Sequence, residues 1–145
     1  MLRWINGENM NWKKYEVWQI ADELVCEIHH MTLNDLPKFE MFETGSQIRR
    51  SIKSVKSNIV EGFGRKIYQQ DFVHFLIIAY ASTCETIDHL ETLIKTNSLK
   101  NIQQYEKTME KLDKLSRKLN LLIQRIQKEN YYRKSTSASR IARGA

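Results

Sequence analysis

The sequence predicts an all-α protein, a single-domain antiparallel four-helix bundle with up-down-up-down topology. Apolar residues recur at spacings of three and four in four long segments, as expected for helices that bury one face. The chain has 145 residues but one proline and five glycines, which leaves little material for the turns of a β sandwich or barrel. No segment shows strand-like alternation. Short connections between long helices favour antiparallel neighbours, and hence this topology.

Each helix is predicted from its own run of apolar residues. The four helices are expected at about residues 12–31, 45–62, 69–97 and 101–129. Together they form a bundle domain over residues 1–130. Residues 131–145 carry no apolar periodicity, so the sequence predicts a flexible basic tail there.

Two glycines and an asparagine lie where the predicted helices end. Gly62 and Gly64 are interpreted as a helix C-cap, since no strand precedes them and the GxxxxGK[ST] phosphate-loop spacing is missing. Asn97 is expected to close the third helix. The sequence therefore predicts compact turns and no nucleotide-binding loop.

Cysteine usage and hydropathy indicate a cytoplasmic protein. Cys26 and Cys84 are far apart and form no CxxC motif, which favours a reduced compartment. The first fifteen residues lack the apolar core of a signal peptide. The longest uncharged apolar run, residues 75–81, is too short to cross a bilayer, so no membrane association is expected.

Positive charge is concentrated in the second predicted helix and in the tail. Residues 44–66 contain six basic residues against Glu61 alone, and residues 131–145 contain four basic residues and no acidic one. Basic residues one helical turn apart repeat every 5–6 Å, close to the roughly 6–7 Å between phosphates of an extended strand. The alternative is an ordinary solvated helix face. The nucleic-acid contacts predicted here are Arg49, Arg50, Lys53, Lys56, Arg65, Lys66, Arg133 and Lys134.

A stripe of small and polar residues follows another face of the second helix. Such residues let two helices approach closely and hydrogen-bond to each other, which we favour over a substrate site. The stripe consists of Gln47, Ser51, Ser54, Asn58 and Glu61.

The histidines have the spacing, but not the predicted direction, of a di-iron site. Glu27 and His30 match the Glu-x-x-His motif of di-iron bundles, and Asp71 with His74 is a near match. A rotation of 100° per residue turns both histidines away from the apolar faces. We therefore predict no metal, no cofactor and no catalytic residues.

The third predicted helix has a second apolar face besides its core face. A helix that is apolar on two sides must bury both, and a single bundle layer covers only one. The second face consists of Val73, Ile77, Tyr80 and Cys84, which we predict to form the interface of a homo-oligomer.

Four segments together resemble a known family. They are VWQIADELVCEI (17–28), LPKFE (36–40), TGSQIRRSIKSVKSNIVEGFGR (44–65) and DFVHFLIIAYASTCE (71–85). They are similar to the bacterial four-helix-bundle proteins named for the intervening sequences of 23S ribosomal RNA genes. Distantly similar proteins assist the reverse transcriptases of diversity-generating retroelements. The sequence departs from the family pattern at Lys56, where proline is common, and at Ala81, where glycine is usual.

The resemblance implies a homopentamer associated with RNA. Combined with the charge pattern, it predicts a non-enzymatic accessory protein that binds nucleic acid, with RNA as the expected ligand, through the second helix and the tail. The alternative is an adaptor whose basic face meets an acidic protein partner, such as a polymerase (a reverse transcriptase) or a ribosomal component. Steep salt dependence of RNA binding would favour the first, and a stable co-purifying protein the second.

Overall fold

The predicted all-α fold is confirmed by the structure, a computed structural model that describes residues 11–144. It contains helices α1 (Glu16–Asn34), α2 (Thr44–Gly64), α3 (Gln69–Lys95) and α4 (Ile102–Gly144). Short 3-10 helices at Trp12–Lys14 and Lys38–Met41 precede α1 and α2. The described residues include no β-strand.

Each helix packs against two others, so the four helices occupy the corners of a bundle. Helix α1 contacts α2 and α4, and helix α3 contacts the same two. The paired residues show that α1 and α2 are antiparallel: Tyr15 stacks on Phe63, whereas Asp22, further along α1, meets Lys56, which comes earlier in α2. The connections between these helices are short, as the topology requires.

The core is a continuous cluster of aliphatic side chains contributed by all four helices. It follows the predicted periodicity, because each helix turns its apolar stripe toward the bundle axis. Fully buried large side chains are Leu24, Ile28, Ile48, Ile52, Ile59, Leu76, Leu90, Leu93, Leu99, Leu112, Leu115 and Leu119. Among the buried polar side chains, Thr83 donates to the Ala79 carbonyl oxygen of its own helix, and Thr86 donates to Ser51 of the neighbouring helix.

The close approach of α2 and α3 explains Gly62, and the C-cap interpretation was wrong. Helix α2 continues through Gly64, and neither glycine has a positive φ. Gly62 is buried, and a Cβ there would lie 3.3 Å from Cβ of Phe75 and 3.4 Å from the carbonyl oxygen of Phe72. The small residue is needed for contact between helices. Asn97, with φ of 60°, follows the end of α3 at the predicted place.

One end of the bundle is closed by a buried carboxylate. Glu40, between α1 and α2, is 4% exposed; it accepts a hydrogen bond from Ser98 Oγ at 2.8 Å and one from the Gly45 amide at 3.4 Å. Ser98 lies between α3 and α4, so Glu40 ties the two connections together. Arg49 Nη2 donates to the Met41 carbonyl oxygen at 2.6 Å at the same end, which we call the closed end.

The C-terminal residues differ from the predicted flexible tail. Helix α4 is 43 residues long and runs without interruption to Gly144. Its last buried residue is Ile123, and Ile126 still packs partly against the core. Residues 127–144, which we call the arm, extend about 27 Å beyond that point at 1.5 Å per residue. Residues 131–144 are exposed, as the missing apolar periodicity predicted, but their backbone is helical and not irregular.

Candidate nucleic-acid interface

Three of the basic residues predicted to contact nucleic acid, Arg49, Lys56 and Arg65, already bind other groups within this chain. Arg49 holds the Met41 carbonyl, as described above. Lys56 Nζ lies 2.6 Å from Asp22 Oδ1 and 5.5 Å from the ring centroid of Trp18, an ion pair and a cation–π contact that join α2 to α1. Arg49 and Lys56 thus stabilise the fold, and each would have to give up its contact within the chain to bind a phosphate.

Arg65 is held in the same way at the other end of α2. Its Nε donates to Glu61 Oε1 at 2.9 Å, and its Nη1 lies 3.5 Å from Asp71 Oδ2. The hydrogen bond to Glu61 raises the pKa of the guanidinium above its usual value, against the opposing effect of desolvation. The remaining predicted contacts of α2, Arg50, Lys53 and Lys66, are exposed and form no ion pair with a described residue.

Three lysines in the bundled part of α4, Lys111, Lys114 and Lys118, are also neutralised, by carboxylates of α1. Lys111 pairs with Glu27 and, at 3.3 Å, with Glu23; the Glu27 hydrogen bond raises the pKa of Lys111. Lys118 and Lys114 lie 2.7 and 3.2 Å from the Glu16 carboxylate, and their hydrogen bonds lower the pKa of Glu16. This surface is therefore a line of interhelical ion pairs.

One group of cations without such partners lies at the end of the bundle opposite the closed end. Tyr15 stacks on Phe63 with centroids 4.2 Å apart, and Tyr15 and Arg125 line one groove between α1 and α4. The segments that carry these residues therefore meet there. We call their cations the basic end: Lys13, Lys14, Lys66, Arg125 and Lys128, each exposed and in no ion pair with a described residue.

The arm continues this positive surface. Arg133, Lys134, Arg140 and Arg143 are exposed and in no ion pair within residues 11–144, and the arm's one carboxylate is Glu129. The sequence prediction included Arg133 and Lys134 but omitted Lys13, Lys14, Arg125 and Lys128. Because these four lie on separate segments with mixed local charge, the run of like charge that identified α2 could not reveal them.

The polar stripe of α2 faces α3 in its central part. Ser54 Oγ and Ser82 Oγ are 2.9 Å apart, and Thr86 Oγ1 donates to Ser51 Oγ at 2.8 Å. Asn58 Nδ2 donates to the Ser54 carbonyl oxygen within the helix. Gln47 and Glu61, at the two ends of the stripe, are exposed, so the interhelical contact is limited to the middle.

The second apolar face of α3 is narrower than predicted, because Val73 belongs to the core. Val73 is 9% exposed and Tyr80 is partly buried against the core, whereas Ile77 is 45% exposed and Cys84 is exposed. Helix α3 contacts both α2 and α4, so its buried arc is wide and takes in Val73 at its edge. The remaining exposed apolar surface on this side centres on Ile77.

The predicted orientation of the histidines agrees with the structure. His30 and His74 are both exposed and point away from the core. Within residues 11–144, no three histidine, cysteine or acidic side chains are grouped closely enough to bind a metal.

No helix within residues 11–144 has the length and apolar character needed to cross a membrane.

Known proteins resemble this chain both in fold and in sequence. A crystal structure of a protein of unknown function from the S23 ribosomal protein family, from Bacteroides thetaiotaomicron, is similar with a TM-score of 0.66 and 27% sequence identity. The similarity covers 74% of this chain and 95% of that one. No curated protein matches. The family model described as 23S rRNA-intervening sequence protein matches residues 13–121, so the chain belongs to that family.

Proposed function

We propose that this protein is a non-enzymatic, oligomeric accessory protein that binds RNA through the basic end and the arm. The observation that carries the proposal is the sorting of its cations. Those on the α1–α4 surface are paired with carboxylates, whereas those of the basic end and the arm lie at one end of the molecule without carboxylate partners. Helix α2 adds Arg50 and Lys53.

Unpaired cations suit a phosphate backbone better than paired ones. A lysine that contacts a phosphate releases condensed counterions, which drives association. A lysine already paired with a carboxylate must first lose that partner, as Lys118 would lose Glu16. A patch of one sign also steers a polyanion toward one end of the molecule. We therefore expect backbone contacts without base-specific recognition.

Assembly is the second part of the proposal. The family resemblance implies a pentamer, and the exposed apolar surface around Ile77 on α3 supports a contact between subunits. That surface is too small to sustain a stable complex by itself, since association costs several kcal/mol of translational and rotational freedom. Neighbouring polar surface must widen it. A ring would repeat the basic end and raise the affinity for a long RNA by avidity.

The RNA proposal is tested with two variants that lose the same number of positive charges at different places on the molecule. Replacing Lys13, Lys14 and Lys66 with glutamine removes three cations of the basic end. The matched control replaces Lys38, Lys100 and Lys107, which are exposed and lie in or near the connections of the closed end. Filter binding to an unstructured 20-nucleotide RNA is then measured from 50 to 300 mM salt.

We expect the basic-end variant to flatten the slope of log K against log salt by about 2, at roughly 0.7 per single-strand phosphate contact. The control variant should keep the wild-type slope. Equal slopes for the two variants would contradict the proposal, as would a protein partner that co-purifies after nuclease treatment while RNA does not bind.

Assembly is tested with Ile77→Glu, which places a charge in the proposed interface. We expect light scattering to show smaller species of unchanged helix content. Ile102→Glu, at another exposed apolar position, is the control and should assemble as the wild type does. A wild-type protein that is monomeric at micromolar concentration would refute assembly.

A further inference from the structure

One face of the arm combines cations with a tyrosine. At 100° per residue, the side chains of a single stripe fall within an arc of roughly 80° along α4. The stripe starts in the last turn of the bundle and consists of Arg125, Lys128, Tyr132, Thr136, Ser139 and Arg143, which we call the arm stripe. Arg140 lies beside it. It runs over 19 residues, whose 18 steps of 1.5 Å give a length of about 27 Å.

The arm stripe has no partner within the subunit. Its members from Tyr132 onward are exposed, and Tyr132 itself is 57% exposed. Because the Tyr132 ring remains exposed to water, its burial contributes little to the stability of the fold. The hydroxyls of Thr136 and Ser139 donate hydrogen bonds to carbonyls of their own helix. These two side chains are small, so they leave space for a ligand between the cations and Tyr132.

We infer that the arm stripe binds a single strand of RNA, with phosphates on its cations and one base stacked on Tyr132. The inference rests on the proposed function and names the form of RNA and the residues that contact it. Aromatic side chains on a basic surface are the usual means of holding single-stranded nucleic acid without sequence preference. A duplex keeps its bases stacked on one another and offers none to Tyr132.

The opposite face of the arm has too little apolar surface to bind a lipid membrane. Ile141 is the one large aliphatic residue within residues 127–144, and Lys134 lies within about 20° of it around the helix, whereas a membrane-surface helix needs a broad apolar face without charge. The arm also lies beyond residues 13–121, which the family model matches. The inference therefore concerns a part of this chain that the family match does not include.

The chain provides matched controls for each side chain. Tyr131 is 71% exposed and lies about 100° around the helix from Tyr132, outside the arm stripe. The two rings meet edge to face with centroids 6.0 Å apart, so removing either one breaks the same contact. Lys134 lies roughly 160° from Tyr132 and is the control for Arg143.

The experiment measures fluorescence anisotropy of full-length variants with two labelled probes, an unstructured 12-nucleotide RNA and a 12-base-pair RNA duplex. Tyr132→Leu should weaken single-strand binding about tenfold, the loss typical of one stacked base. Tyr131→Leu should stay within twofold of wild type, and neither change should alter duplex binding. Arg143→Gln should weaken single-strand binding more than Lys134→Gln does.

The contrary outcomes separate this inference from the proposed function. If RNA binds but the two tyrosine variants behave alike, the arm stripe is wrong and the basic end remains as the proposed contact. A preference for the duplex, or tight binding to phosphatidylserine vesicles that Tyr132→Leu weakens, would also overturn it. If the wild type binds neither RNA probe, both proposals fail. Circular dichroism of each variant verifies that the helix content is unchanged.

Discussion

The two halves of helix α4 share one continuous backbone but differ in what surrounds them. In the half that lies in the bundle, Leu112, Leu115 and Leu119 are fully buried, and Lys111 and Lys118 pair with carboxylates of α1. In the arm, every side chain from Tyr131 to residue 144 is exposed and no cation forms an ion pair with a described residue. The same helix thus serves as part of the core and then as an open surface.

This difference shows that charge alone does not identify a binding surface. Lys111 and Lys118 carry the same charge as Lys128, yet their partners are already inside the subunit. The same holds for α2, where Lys56 is paired and Lys53 is not. The cations that we propose to contact phosphates, in the basic end and the arm, are ones to which the fold gives no carboxylate partner.

The largest difference between the halves should be in stability. Leu119→Ala removes a fully buried side chain and should lower the free energy of unfolding by about 2–5 kcal/mol, through lost burial and the cavity it leaves. Ile141→Ala, at a 74% exposed position of the arm, should change it by no more than about 0.5 kcal/mol. Urea denaturation measures both. Comparable losses would mean that the arm packs against something in solution.

Truncation after Asn130 should separate stability from binding. Residues 131–144 bury no side chain, so the unfolding transition should remain cooperative with nearly the same midpoint. Four cations leave with it, and the salt slope of RNA binding should fall by up to about 2.8. Thermal melts and filter binding test the two parts. A truncated protein without cooperative unfolding would show that the arm is needed by the fold.

A smaller contrast is expected in acid. Lys118 and Lys114 lower the pKa of Glu16 in the folded state below the ordinary 4.5, so this pairing stabilises the protein above that value and the stabilisation is lost as pH falls through the folded pKa. Glu16→Gln should therefore reduce stability at pH 6 and make it less sensitive to acid. Glu129→Gln, in the arm, should leave the acid profile unchanged. Denaturation midpoints from pH 6 to pH 3 provide the test, and identical profiles for Glu16→Gln and wild type would refute this role.

The sequence was informative where one periodic pattern decides the structure. Four apolar stripes placed the helices, and Asn97 ended α3 where predicted. The pattern could not place Val73, because burial at the edge of a stripe depends on how many helices pack around it. Nor could it extend α4 beyond residue 130, since the arm's helix is not accompanied by an apolar face.

The candidate site was less predictable because it depends on contacts between segments that are distant in sequence. Lys56 and Asp22 are separated by a helix connection, and nothing in the local sequence of α2 indicates their 2.6 Å ion pair. The basic end likewise combines cations from the start of α1, the α2–α3 connection and α4. A run of like charges in the sequence shows where cations are concentrated along the chain. Which of those cations form ion pairs can be seen only in the folded structure.

The central claim, that the unpaired cations of the basic end and the arm bind RNA whereas paired cations do not, is tested most directly by two charge-matched variants of α4. One replaces Lys128, Arg140 and Arg143 with glutamine, and the other replaces Lys111, Lys114 and Lys118. Each loses three positive charges, and circular dichroism verifies that each is folded. The slope of log K against log salt is measured for the same unstructured RNA. We predict that the first variant loses about 2 from the slope while the second keeps the wild-type value. Equal losses in the two variants would show that net charge, and not pairing, governs binding.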